Sequence, residues 1–105
     1  VVDYSLVSAA RGDLWEIWHF IAEDNEAAAT RVVRAAFDTF EQLAVNPGLG
    51  HPRTFAQRKP LTVRLYPVIG YRSDRVVYRE IGKSQIEVLA VAHTGRNLAA
   101  LLRRR

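Results

Sequence analysis

The chain has 105 residues, 49% of them hydrophobic and 25% charged, with no cysteine and a formal net charge of +4. That length holds one domain around one modest core, and the composition is that of a globular protein rather than a disordered one. Disulfides, thiolate metal sites and cysteine nucleophiles are excluded, and no apolar run reaches the roughly 18–20 residues that span a bilayer.

The opening VVDYSLV is β-branched and roughly alternating, which predicts a short first strand. Asp3, Arg11 and Asp13 interrupt what a secretory signal would keep apolar, so no signal is read and a cytoplasmic location is expected. Ser8 is placed to cap a helix in which Leu14, Ile17, Trp18 and Ile21 recur along one face. Asp24 and Asn25 break that pattern as cap residues, and Glu26 suits the positive end of the next helix. This second helix runs from about Glu26 to Val45. Ala29, Val33, Ala36, Phe40 and Leu43 form its apolar side, and Arg31, Arg34, Asp38 and Glu41 its wet one. Two striped helices joined by a few residues predict an antiparallel hairpin.

NPGLGHP ends the second helix, and RTFAQRKP reads as loop. The period then changes from 3.6 to 2. LTVRLYPVI is a strand, GYRSD a turn or longer connection, RVVYREI a strand, GKS a tight turn and QIEVLAVAH a last strand. That last run is apolar on both faces and belongs in the middle of a sheet, covered on both sides. TGRNLAALLRRR predicts a short C-terminal helix with a solvated basic tail, Arg103 to Arg105. The expectation is a single two-layer α+β domain: an N-terminal strand, a helical hairpin laid on a mostly antiparallel sheet of about four strands, and a short final helix.

Charge is uneven along the chain. Residues 1–60 balance at −2 and residues 61–105 at +6, and Lys83 is the only lysine in the basic part. Arginine's planar fork suits carboxylates and phosphates, which points to an anionic partner. The plain alternative is a solvated basic surface.

The order and spacing of YSLVSAARGDLWEIWHFIAEDN, the alanine-rich second helix, LAVNPGLGHPR, VVYRE and IEVLAVAHTGRNL resemble the RelE/ParE superfamily of bacterial toxins from toxin–antitoxin pairs. The likeness is closer to the ParE branch. Its cues are A-x-x-D-L-x-x-I-W on the first helix, Tyr78-Arg79 in the penultimate strand, and Val91-x-His93 followed closely by Arg96. The resemblance implies a toxin neutralised by an antitoxin encoded beside it, whose C-terminal segment folds as it wraps the toxin into a hetero-oligomer. It implies two targets. ParE-type toxins trap DNA gyrase on cleaved DNA, and RelE-type toxins cut messenger RNA in the ribosomal A site.

Metal-free RNA cleavage needs a base for the 2′-OH, cations for the developing charge and an acid for the leaving oxygen. Arg75 and Arg79, at i and i+4 on one strand, point to one face about 13 Å apart, and Arg72, His93 and Arg96 lie on strands expected beside them. As a cation cluster this is adequate; as an acid–base set it is poor. By the resemblance, RelE-type nucleases place lysines on the early strand, an arginine just after the last strand and often a tyrosine on the C-terminal helix. Here the early strand offers only Arg64. Arg75 matches the arginine that opens the RelE stretch, Thr94 follows His93, and no tyrosine occurs after Tyr78. The expectation is therefore no catalytic residue and no cofactor or metal. If the chain is a nuclease, Arg75, Arg79 and His93 carry it.

The residues expected to bind antitoxin or target are Arg64, Arg72, Arg75, Arg79, His93, Arg96 and Trp15. Each has a plain reading as well. His93 would pack and hydrogen-bond locally, Arg79 with Glu80 or Arg75 with Glu87 would be ion pairs, and Trp15 would lie in or half in the core. A family member that binds its antitoxin but has lost toxicity is a third possibility.

Overall fold

The computed structural model describes residues 3–105; Val1 and Val2, the start of the expected first strand, lie outside the described residues. The order is β1 (Asp3–Leu6), α1 (Ser8–Ala22), α2 (Glu26–Val45), a 3-10 turn (Pro47–Leu49), β2 (His51–Phe55), β3 (Leu61–Val68), β4 (Tyr71–Gly82), β5 (Gln85–His93) and α3 (Leu98–Leu102). The strands form one sheet in the order β1-β5-β4-β3-β2. Only β1 pairs parallel, to β5; every other pairing is antiparallel.

This is the expected α+β arrangement, with one strand more than the pattern predicted. The extra strand is β2, whose HPRTF has no alternation to mark it. It is held by register with β3, by the Thr54–Thr62 hydroxyl pair at 2.9 Å, and by Phe55 turned into the core. As an edge strand it carries Pro52, which has no N–H to offer another chain. The expected connection GYRSD shrinks to a turn at Ile69–Gly70, with Gly70 at φ 84°, because β4 runs from Tyr71.

Ser8 does not cap α1. Pairing with β5 continues to Val7, whose N–H donates to Val88 O at 3.1 Å, so Val7 takes the cap position and Ser8 is already helical. Asn25 does cap α2, its side chain accepting from Ala28 N at 3.0 Å. Trp18 Nε1 donates to Thr30 Oγ1 at 3.2 Å and ties the two helices. The buried Thr39 hydroxyl donates to Ala35 O and accepts from Ile69 N at 3.0 Å, pinning the β3–β4 turn to α2.

The core divides between the two faces of the sheet. On one, the hairpin's Ala10, Leu14, Ala36, Phe40 and Leu43 meet Val76, Tyr78, Ile86, Val88 and Val91. On the other, α3 lays Leu98, Leu101 and Leu102 on Val63, Val77, Leu89, Ala90 and Ala92. The second cover corrects the two-layer expectation. A strand apolar on both sides needs both sides buried, at about 1.5–3 kcal/mol for each large side chain.

The α2–β2 connection is held from beneath. Tyr78, fully buried, donates its hydroxyl to Pro47 O at 2.6 Å and accepts from Gly50 N at 2.8 Å. Burial is the main cause raising its phenol pKa, which the Gly50 N–H offsets in part.

Candidate functional site

The sheet separates the residues expected to act together. Arg75 stands opposite Ala92, and Arg79 opposite Glu87, on the face that α3 covers. His93, one residue beyond Ala92, turns to the hairpin face and lines a groove with α1. Arg64 also belongs to the hairpin face, where its guanidinium donates to Gly50 O at 2.7 Å and pairs with Glu80 at 3.4 Å. Arg64 therefore helps to hold the α2–β2 connection. Arg72 is exposed near the start of β4, and Arg96 is exposed just after β5.

Two of the three nuclease candidates are already engaged. Arg79 meets Glu87 at 2.7–2.8 Å. The expected ion pairs thus exchange partners: Arg79 takes Glu87, directly opposite across the ladder, and Arg64, opposite Tyr78, takes Glu80 two residues further along β4. His93 Nδ1 accepts from Gly95 N at 3.1 Å, and Arg96 N donates to His93 O at 2.9 Å. The ring thus shapes its own turn. Arg75 is half-buried, and its Nε is buried without a partner. Arg96 and Arg104 border a separate shallow pocket on α3, with Asn97, Ala100 and Leu101.

Trp15 is not in the core. It is 63% exposed and stacks on His19 with ring centroids 3.7 Å apart, while His19 Nδ1 donates to Trp15 O at 2.9 Å. Phe20, further along α1, is 79% exposed. On the β side of α1, Glu16, Ile17, Phe20 and Ile21 face Asp74 and His93 across an open groove of about 530 Å³. Burial pushes the Asp74 carboxyl up from its ordinary value, and His93 pulls it partly back.

Pattern reading missed a buried ion pair. The Asp13 carboxylate accepts from Val91 N at 3.0 Å and from both terminal nitrogens of Arg105, at 2.7 and 2.9 Å. Arg105 also donates to Leu89 O at 2.9 Å. The Asp13 hydrogen bond raises the Arg105 pKa above its ordinary value, against desolvation. Arg105 is therefore not part of a solvated tail. It closes the stretch of β5 that lies beyond Val88, the partner of β1's last residue, Leu6. A signal for this existed: Asp13 stands inside the stripe Ala10, Leu14, Ile17, where an acid needs a buried partner. Phe20, an aromatic just off the stripe, was likewise the signal for an exposed apolar surface.

Among the described residues no cluster of three or more His, Asp or Glu could hold a metal ion, and no helix is long and apolar enough to cross a membrane.

The family described as ParE toxin of type II toxin–antitoxin system, parDE, matches residues 4–98. In fold the chain is similar to a solved chain described as "Chromosomal ParDE TA system from P. aeruginosa", with a TM-score of 0.66 and 18% sequence identity over 88% of this chain and 95% of that one. No curated protein matches the chain.

Proposed function

The chain belongs to the ParE toxin family of type II toxin–antitoxin systems, and we propose that it inhibits DNA gyrase by binding and is neutralised by a cognate antitoxin. The observation that carries this reading is the division of Arg75 and Arg79 from His93 by the sheet. A phosphodiester at Arg75 and Arg79 would lie across the sheet from His93, the base that the nuclease reading assigns, and general acid–base catalysis needs contact or a single bridging water. What the surface offers instead is binding area. Trp15 and Phe20 stand out of α1, and Arg96 and Arg104, which form no salt bridge among the described residues, border the α3 side. Large aromatics and arginines are the residue types from which binding hot spots are built. In this reading the protein makes and breaks no bond itself.

The test is a supercoiling and cleavage assay with purified gyrase and ATP, adding the toxin with and without antitoxin. Accumulation of cleaved DNA that the antitoxin prevents is the expected result. No effect on gyrase from folded, monodisperse protein overturns it. Ribosome-dependent cutting of messenger RNA would then be assayed with Arg75→Ala and His93→Ala.

A further inference from the structure

The groove between α1 and the ends of β4 and β5 has an unusual charge. Single exposed apolar residues call for no explanation, but Ile17, Phe20 and Ile21 form a contiguous strip lining a concave site. The strip is bordered by two carboxylates, Glu16 and Asp74, and among the described residues neither joins a salt bridge. Three other acids on or against the sheet are paired: Asp13 with Arg105, Glu80 with Arg64, Glu87 with Arg79. Asp74 is half-buried, so its charge is partly stripped of water, and His93 offsets that only in part. His93 does not donate to it from Nδ1, which accepts from the Gly95 N–H. Arg96 borders only the shallow end and makes no ion pair among the described residues. An acidic, apolar groove on a chain of net charge +4 selects for a cation carried on an apolar segment. Two copies of a +4 chain repel one another at long range, which disfavours a second copy as the occupant.

We propose that this groove receives a segment of the antitoxin in which a lysine or arginine sits between two apolar anchors. The anchors cover Ile17, Phe20 and Ile21, and the cation meets Asp74 and Glu16. The inference rests on the toxin–antitoxin reading above and adds to it the sign of the charge that the antitoxin must bring to this side. On the opposite side of the toxin the arginines require acids.

The experiment uses the full toxin and the antitoxin encoded beside it. Affinity is measured at low and high salt for Asp74→Asn with Glu16→Gln, for Phe20→Ala, and for Glu41→Gln as a control that removes a charge from α2. Hydrogen exchange of the complex reports which amides are covered. The double charge variant is expected to bind about 10- to 100-fold more weakly, with a different salt dependence, and Phe20→Ala about tenfold more weakly. The control is expected to bind as the unaltered toxin does, and residues 16–21 to gain protection on binding. Antitoxin that binds with unchanged affinity to all variants, leaving residues 16–21 unprotected, overturns the inference and leaves the toxin–antitoxin reading standing. Failure of the unaltered, folded toxin to bind any antitoxin overturns both. A toxin dimer that Phe20→Ala dissociates also overturns the inference, since the occupant is then a second copy. Thermal unfolding of each variant separates lost binding from lost fold.

Discussion

Replacing Arg105 with alanine tests how much of the fold hangs on its final residues. Asp13 and Arg105 side chains are each only 9% exposed, and their bidentate contact at 2.7 and 2.9 Å is reinforced by bonds to Val91 N and Leu89 O. Removing one partner of a buried pair leaves the other charge stranded, at a cost of about 3–5 kcal/mol. Arg105 lies at the periphery, where water can replace it, so the lower end applies, about 3 kcal/mol. For a domain of this size that is a fall in Tm of roughly 12–20 °C. Urea unfolding would show the loss as a lower midpoint with an unchanged slope. Hydrogen exchange would place the loosening in α3 and the second half of β5. The matched control is Arg104→Ala, which removes the neighbouring exposed arginine and is expected to cost less than about 0.5 kcal/mol. In a double-mutant cycle with Asp13→Asn the two losses are expected to be strongly non-additive. If Arg105→Ala costs no more than Arg104→Ala, the guanidinium does not hold Asp13 in solution and the reasoning fails.

Three further outcomes follow from the same contacts. Tyr78→Phe strands Pro47 O and the Gly50 N–H beneath the α2–β2 connection and is expected to cost about 1–3 kcal/mol, read as a urea midpoint. Gly50→Ala would place a methyl 2.7 Å from Tyr78 Cε1 and 2.8 Å from Arg64 Cβ. A loss of about 1–3 kcal/mol is expected, with Tyr78→Phe relieving part of it, since the Tyr78 hydroxyl is in the way as well. Asp74 gives a pH dependence. Its folded carboxyl titrates above the ordinary 3.8, so in that window the folded chain binds more protons than the unfolded one and stability falls as pH rises. Asp74→Asn removes the decline, so its stability relative to the unaltered chain is expected to grow from pH 3.8 upward and then level off; a constant difference across pH would refute the assignment.

Periodicity made most of the fold legible. The stripes of α1 and α2, the alternation of β3 and β4, and the two-sided apolarity of β5 all follow from burial, which repeats with the backbone. What escaped has no period. β2 forms because β3 offers it an edge, not because HPRTF favours a strand. Ser8 loses its cap role because β1 keeps pairing through Val7. The expected site suffered most. The β5 register shift between Val77 and Tyr78 leaves Val88 and Val91 on one face and Ala92 on the other, so His93 parts from Arg75 and Arg79. A one-residue irregularity reverses which side chains share a face. Composition did show that the later half is basic, but not that Arg64, Arg79 and Arg105 are occupied in holding the fold together.

The ion pair at the chain's end and the groove beside α1 share a residue, which makes their effects separable in an informative way. Asp13 faces Arg105 on one side, and on the other it borders a shallow pocket with Glu16, Asp74, His93 and Arg96 that continues the groove. While Arg105 is in place, Asp13 contributes no net charge there. Truncating Arg105 leaves the Asp13 carboxylate as a third anion beside Glu16 and Asp74. The free toxin is then less stable, yet its groove is more attractive to a cation. A folded state with several kcal/mol in reserve remains almost fully populated, so lost stability does not by itself weaken binding. Arg105→Ala is therefore expected to lower the urea midpoint of the free toxin while leaving antitoxin affinity unchanged or tighter at low salt, the gain fading as salt is added. A parallel loss of stability and affinity would mean that the antitoxin grips α3 itself, and that the groove is not where the cation goes.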